Sequence, residues 1–486
     1  MRVILTILVC ATTSLVGCGG SASDSNTVPP PKNIAPNPAP NPLENKLNLS
    51  ALDQQNSLYS SDLGYTTALE RVFNLKNDKL LVLGETSSVE ESGNKEGFYA
   101  ITDPNGQTYQ FEQSTEGFVD ACVFDSGEYI LGRFIQEGDD IFSVQLERYD
   151  ETGVQLKSVP MQALSMDVKY YIPTDKNAWL LNPFTIIPTD DPLSDTKYTQ
   201  TSITWWRFNN AKFTCHDENL YVSYNNGGRK IAKYDANLQL MWQKPIDIRY
   251  WGNSSRASEA IEIAISDNGY LYSAQNISTD AIPAYNHKFS TVHAVPQDVA
   301  QSDMHVIVKT FDLNGELLNE QFISDEHSSL IDDIKVHQDT VFIGVSARRS
   351  KADSTRYSSE WDVGLIQVYH GERIPQRYWY NIDKEDVLRG LAIADNTLYL
   401  YGHIGGVQVD TNSWVEHTNG FIGQLDIENL SDLSIETYHT ERSASIQSLS
   451  VHDTGTITAV GIENAPMTHS ADTSMAGLFI KVNSNP

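Results

Sequence analysis

Between Ile248 and Glu259 the chain places Arg249, Tyr250, Trp251 and Arg256, two guanidinium forks beside two large aromatic rings. Aromatic rings stack on sugar faces and arginine pairs with carboxylates or sulfates, so this set suits an anionic or sugar-like ligand. Arg348, Arg349 and Arg356 crowd a second segment, and Arg389 and Arg442 precede further strand candidates. His287, His293 and His305 surround Asp298 and Asp303, groups that can ligate zinc. Their spacing matches no zinc signature, and no metal is expected. On an acidic polysaccharide, Tyr250 or His287 could act as the base while Arg256 neutralises a uronate. Ion pairs with neighbouring Asp and Glu account equally for the arginines, and solvation for the histidines. The chain contains no nucleophile elbow, Walker loop, dinucleotide fingerprint or haem-attachment motif. The phrases DLNGE, DPNG and SDNG lack the alternating aspartates and distal glutamate of a calcium loop and read as hairpin turns. No catalytic residue and no cofactor is assigned.

The elements that must carry these side chains repeat. KTFDLNGELLNEQFI from Lys309 reads as strand, tight turn and strand, and close variants begin at Ala100, Glu147 and Ala232. A second phrase interleaves: an alternating strand, an Asp or Asn turn, and an apolar strand that often ends in glycine, as at Gly84, Gly132, Gly344, Gly402 and Gly461. Eight such units, at the spacing of propeller blades, predict an all-β chain: one β-propeller of seven or eight four-stranded blades. The third unit, around KYYIPTDKNAWLLN at Lys169, has an improvised outer strand, which leaves the blade count open. The last unit, ending GLFIKVNSNP, is one strand short, and Lys46–Leu52 is expected to supply it and close the ring.

In a blade with strands A to D from the centre outward, the A–B and C–D turns share one face and the B–C and D–A connections share the other. The short turns fall on the first face. The long insertions, Glu85–Gly97, Asn182–Ser202, Gln275–Asp303, Ala347–Asp362, His403–Asn419 and Glu463–Ala476, fall on the second. Long loops gathered on one side of a rigid scaffold are where binding sites are usually built.

Acidic residues outnumber basic ones, 63 to 34, for a formal charge of -29, which argues against nucleic acid and anionic lipid surfaces as partners of the chain as a whole. Cys122 and Cys215 sit in predicted strands at opposite parity relative to the following turn aspartates, Asp125 and Asp217. They are read as two buried thiols, although an exported location would permit a bridge.

The first residues, MRVILTILVCATTSLVGC, join a positive start to an apolar run and a small-residue approach to cysteine. Leu15-Val16-Gly17-Cys18 resembles the lipobox of bacterial lipoproteins. That resemblance implies a signal peptide over 1–17, acylation of Cys18, and, with Gly at 19, delivery to the outer membrane, facing periplasm or medium. Residues 18–45, rich in Pro, Asn and Ser, read as a tether reaching on the order of 80 Å. Residues 46–486 form the propeller. The layout resembles that of bacterial propeller lipoproteins. The expected function is a lipid-anchored binding or scaffold protein that meets an envelope protein or a glycan through its long-loop face. A lyase or glycosidase acting on an acidic polysaccharide is the alternative, and whether the chain is an enzyme stays open.

Overall fold

The computed structural model describes the strands, short turns and adjoining residues between Leu47 and Val482. Residues 1–46, 88–95, 137–141, 162–210, 247–260, 279–303, 349–360, 465–474 and 483–486, with several shorter stretches, lie outside the described residues. No described helix is long and apolar enough to cross a membrane.

The chain opens with β1 (Leu49–Asp53) and β2 (Leu58–Ser61). Blade 1 follows: β3 (Thr66–Leu75), β4 (Lys79–Ser87), β5 (Glu96–Thr102) and β6 (Thr108–Ser114). Blade 2 is β7 (Phe118–Val123), β8 (Tyr129–Gln136), β9 (Phe142–Tyr149) and β10 (Gln155–Pro160). Blade 3 is β11 (Ala211–His216), β12 (Asn219–Asn225), β13 (Arg229–Tyr234) and β14 (Leu240–Pro245). Blade 4 is β15 (Glu262–Ile265), β16 (Tyr270–Ser278), β17 (Met304–Asp312) and β18 (Leu317–Ile323). Blade 5 is β19 (Ser328–His337), β20 (Thr340–Arg348), β21 (Trp361–Tyr369) and β22 (Gln376–Tyr380). Blade 6 begins with β23 (Asp386–Ala394) and β24 (Thr397–Ile404), passes through a small hairpin of β25 (Gln408–Asp410) and β26 (Ser413–Trp414), and ends with β27 (Asn419–Asp426) and β28 (Asn429–Tyr438). Blade 7 is β29 (Ser443–Val451), β30 (Ile457–Asn464) and β31 (Met475–Val482), completed by β2. Each blade is an antiparallel meander, and the architecture is a seven-bladed propeller.

One expectation is corrected here, and the open blade count is resolved to seven. The strand that closes the ring is Leu58–Ser61, paired antiparallel with Leu478 and its neighbours in β31. The Lys46–Leu52 segment contributes instead to β1, a fifth strand outside β2. The third sequence unit adds no blade between β7 and β11, because a disulfide joins Cys122 to Cys215 directly across them, with Cα atoms 5.5 Å apart. The unit itself, Lys169–Asn182, lies outside the described residues.

That disulfide also corrects the reading of two thiols, and the reason is geometric. Consecutive blades stack so that the forward face of one meets the rear face of the next. Cys122 packs with Val119, Ile130 and Phe134 on the blade 2 face that meets Ala211, Phe213 and Leu220 of blade 3. Opposite parity on equivalent strands is therefore what a bridge between stacked sheets requires.

The core consists of these blade-to-blade layers. Middle strands are covered on both faces and read as unbroken apolar runs, such as Leu80–Val82 and Val341–Ile343. The recurrent glycine lies within the second strand, which runs on beyond it, and has a specific cause. The innermost strand bulges opposite it, between Leu69 and Arg71, between Leu388 and Gly390, and between Ile446 and Ser448. A Cβ on Gly402 would come within 2.1 Å of the Val387 carbonyl oxygen, and one on Gly461 within 2.1 Å of that of Ser445.

The short turns follow the sequence rule. Asp103, Asp150, Asp235 and Asp312 each accept two backbone N–H groups of their own C–D turn through Oδ1. The left-handed position is filled by Gly106, Gly153, Leu238 and Gly315.

Candidate functional site

The strand ends place both kinds of connection as topology requires. The insertions after β4, β16, β20, β24 and β30 all leave from the face opposite the Asp turns. Arg348 ends β20 on that face, its backbone in register with Ser328 and Trp361. Arg249, Tyr250, Trp251, Arg256, His287 and Arg349 lie outside the described residues, as do Arg356, His293, Asp298, Asp303 and Arg442. His305 is not a loop residue: it sits in β17, 1% exposed, its ring 5.3 Å from that of Phe322. Arg389 lies within the innermost strand β23, not before it.

Buried titratable groups collect at the ends of β21, β23 and β24, on the side from which the insertions of blades 5 and 6 leave. Asp362, Asp386 and His403 are all buried. Burial raises the Asp386 carboxyl to about 6; the N–H groups of Ile382 and Asp383 oppose the shift, and the nearby Asp362 charge adds to it. His403 is lowered to about 3, chiefly by burial and secondarily by the Arg389 charge, and its Nδ1 lies 3.1 Å from Ser445 Oγ of blade 7. A carboxyl titrating near neutrality is the kind of group general acid–base chemistry uses. Here, however, Asp386 accepts from Ile382 N at 2.7 Å and Asp383 N at 3.0 Å, which fixes the blade 5 to blade 6 connection. His403 stays neutral and serves as a hydrogen-bonding strut.

The axial channel is lined by charges from the innermost strands. Arg71 faces Asp120 at 3.9 Å, Lys212 meets Glu262 at 3.2 Å, and Lys335 meets Asp333 at 2.8 Å. Burial opposes the Arg71 charge, but Asp120 and Glu70 outweigh it and hold the guanidinium above its usual range. Burial raises Asp120 and Glu262, against the pull of Arg71 and Lys212 respectively. Tyr401 reaches inward from β24 over Gly390, its hydroxyl 2.2 Å from where a Cβ would stand, and burial raises that phenol.

Most of these polar groups join one blade to the next. Asp120 accepts Phe213 N at 2.8 Å, Asn276 accepts Ile331 N at 2.9 Å, Asp333 accepts Leu391 N at 2.9 Å, and Ser448 accepts Val72 N at 3.1 Å. The channel is thus a charge-balanced hub that holds the ring in register. Among the described residues no group of His, Cys, Asp and Glu is arranged to hold a metal. Sequence reasoning missed this hub. Its signal was a charge interrupting an otherwise apolar inner strand, in LERV, VDAC, IDDI and LRGL.

The sequence matches no protein-family model, and no curated protein matches it. Among solved structures, the β-propeller domain of the Trilobed protease from Pyrococcus furiosus, described as having an open velcro topology, is similar at 9% identity and TM-score 0.44, over 87% of this chain and 97% of that one. A Synechocystis apocarotenoid oxygenase is similar at 8% identity and TM-score 0.38, over 86% and 90%. The Dos1 propeller is similar at 9% identity and TM-score 0.39, over 86% and 95%.

Proposed function

We propose that this chain is an exported, lipid-anchored binding protein of a bacterial envelope. It is held at the outer membrane through Cys18 and engages an envelope protein or a glycan through the face that carries its insertions. The observation that carries this reading is the asymmetry of the disc. The Asp-type turns are short and internally hydrogen-bonded, while the insertions of blades 1, 4, 5, 6 and 7 all leave from the other face. A scaffold that is stiff at its hub and variable on one face matches the usual division between framework and binding loops. The interblade disulfide supports an oxidising destination. The ion-paired hub and the Asp386 turn account for the polar residues described so far in structural terms, which favours binding over catalysis.

Replacing 279–303 and 349–360 by tight turns tests the reading. Partner capture by in-membrane crosslinking is expected to fall at least about tenfold while the urea midpoint stays unchanged. Undiminished capture would move the binding surface to the other face or the rim.

A further inference from the structure

The outermost strands of blades 1 to 4 share one feature. In each, the second residue is extra in the ladder, a bulge that turns its side chain out of the sheet. Tyr109 interrupts the pairing of Ile101 and Thr102, Leu156 that of Arg148 and Tyr149, Met241 that of Lys233 and Tyr234, and Leu318 that of Thr310 and Phe311. All four are large and apolar, and each is more than half exposed, between 52% and 58%. Each follows its turn aspartate by the same interval: Asp103 to Tyr109, Asp150 to Leu156, Asp235 to Met241, and Asp312 to Leu318. Blade 5 has Arg377 at the second position of its outer strand, and blade 6 has the buried Leu430. Charge and bulges both blunt sheet edges, but here the bulged residue is itself large and apolar, and such residues repeated along one rim mark an interaction surface.

The charge around this stripe identifies the occupant. The two outer strands of blades 2 and 3 hold Arg148, Lys157, Arg229, Lys230, Lys233 and Lys244 against one acid, the buried Glu147. Arg229 is itself buried, and Arg148 and Lys244 pair with Glu128 and Glu316, which leaves Lys157, Lys230 and Lys233 outside these pairs. The same strands of blades 5 and 6 reverse the balance, with Arg377 against Asp426, Asp432 and Glu436, besides the buried Asp362. In a chain of net charge -29, the edge of blades 2 and 3 is basic and apolar, while the edge of blades 5 and 6 is acidic, with Ile374 and Ile435 as its exposed apolar side chains. Lysine stems beside exposed Leu and Met, with a tyrosine at the shoulder, form the composition that seats a protein among lipid headgroups. Lys79 lies over the Tyr109 ring at 5.5 Å, a cation beside the aromatic shoulder.

The chain's own path agrees. The described residues begin on this same rim, where Leu47 N donates to Thr108 Oγ1, one residue from Tyr109. The chain therefore enters the described body at Leu47, beside the stripe.

We propose that the rim of blades 2 and 3, with Tyr109 and Leu318 at its shoulders, rests on the phospholipid headgroup surface, so that the disc meets the membrane by its edge and both faces stay open. This rests on the lipid-anchored reading above. A tethered body needs only a weak contact, because the anchor keeps its local concentration high.

The test uses the full acylated chain in phosphatidylethanolamine–phosphatidylglycerol vesicles. An environment-sensitive fluorophore is placed on Gln243→Cys, beside Met241, or on Ser434→Cys in the outer strand of blade 6. Quenching by a lipid-borne nitroxide is expected at 243 and not at 434. It should fall about fivefold or more with Leu156→Ser and Met241→Ser combined, and also with Lys157→Gln and Lys230→Gln combined. Equal or absent quenching at both sites on a chain shown by mass to be acylated would overturn the rim contact and leave the anchor intact. A chain that carries no acyl group and does not float with vesicles would overturn both. Self-association that the Leu156→Ser and Met241→Ser pair abolishes, without lipid quenching, would reassign the stripe to a second copy and overturn the proposal.

Discussion

The carboxylate of Asp120, on the innermost strand of blade 2, faces Arg71 of blade 1 at 3.9 Å and accepts the Phe213 N–H of blade 3 at 2.8 Å. One side chain thus spans three blades. Asp120→Ala would leave a buried guanidinium and a buried N–H without this partner. The expected loss of unfolding free energy is about 3–5 kcal/mol, read by urea titration. A loss below about 1 kcal/mol would mean that water enters the channel freely enough to replace the carboxylate.

Removing the Cys122–Cys215 crosslink, which spans 93 residues of sequence, should cost about 2–4 kcal/mol. Cys122→Ser with Cys215→Ser, compared with the parent by denaturant unfolding, provides the measurement. Thiol counting on the denatured, unreduced parent should find neither cysteine free.

The pH dependence follows from Asp386. Its folded pKa, about 6, stands above the ordinary aspartate value of about 3.9. A raised carboxyl pKa means that the folded state holds the proton more tightly. The associated stability is complete below about pH 4 and is lost as pH rises through about 6. His403, lowered to about 3, works in the opposite direction: its contribution is complete above about 6.5 and is lost as pH falls toward 3. Asp386→Asn removes the titration while an amide oxygen at the Oδ2 position still accepts the Ile382 N–H; the loss of Oδ1, the nearer acceptor of the Asp383 N–H, adds only a pH-independent offset. The variant should gain about 2–3 kcal/mol on the parent between pH 4 and pH 7, tracked by urea midpoints. A pH-independent difference would contradict the assignment.

Glycines of two kinds should respond differently to alanine. At Gly402 a Cβ meets a backbone carbonyl at 2.1 Å, so Gly402→Ala should destabilise by about 1–3 kcal/mol or prevent folding. At Gly269 the nearest atom is a side-chain carbon at 3.6 Å, leaving only the strain of its positive φ, about 1 kcal/mol. Melting temperatures of the two variants should rank in that order.

The blades were legible because each is written around the same turn. Asp103, Asp150, Asp235 and Asp312 announce C–D hairpins by chemistry that acts within five residues, and the glycine opposite each inner bulge leaves a mark of its own. What failed depended on neighbours distant in sequence. The Cys122–Cys215 pairing inverts if one imagines a single sheet and comes right only when two sheets face each other. The closing strand, Leu58–Ser61, reads LYSS and lacks the alternation that Lys46–Leu52 shows, so only its pairing with β31 identifies it. The hub charges hid because bulges at Glu70, Asp332, Arg389 and Gln447 shift strand parity by one residue. The basic rim hid for another reason: its lysines are spread over two blades and dissolve into an acidic average.

The seam of the ring has a mechanical consequence. Tension applied to the N-terminal segment reaches the Leu47 contact with blade 1 first, then β1, and only afterwards β2, whose pairing with β31 keeps the circle shut. The fifth strand therefore acts as a fuse: it peels under load before the closure is stressed, and it can zip back when the pull relaxes.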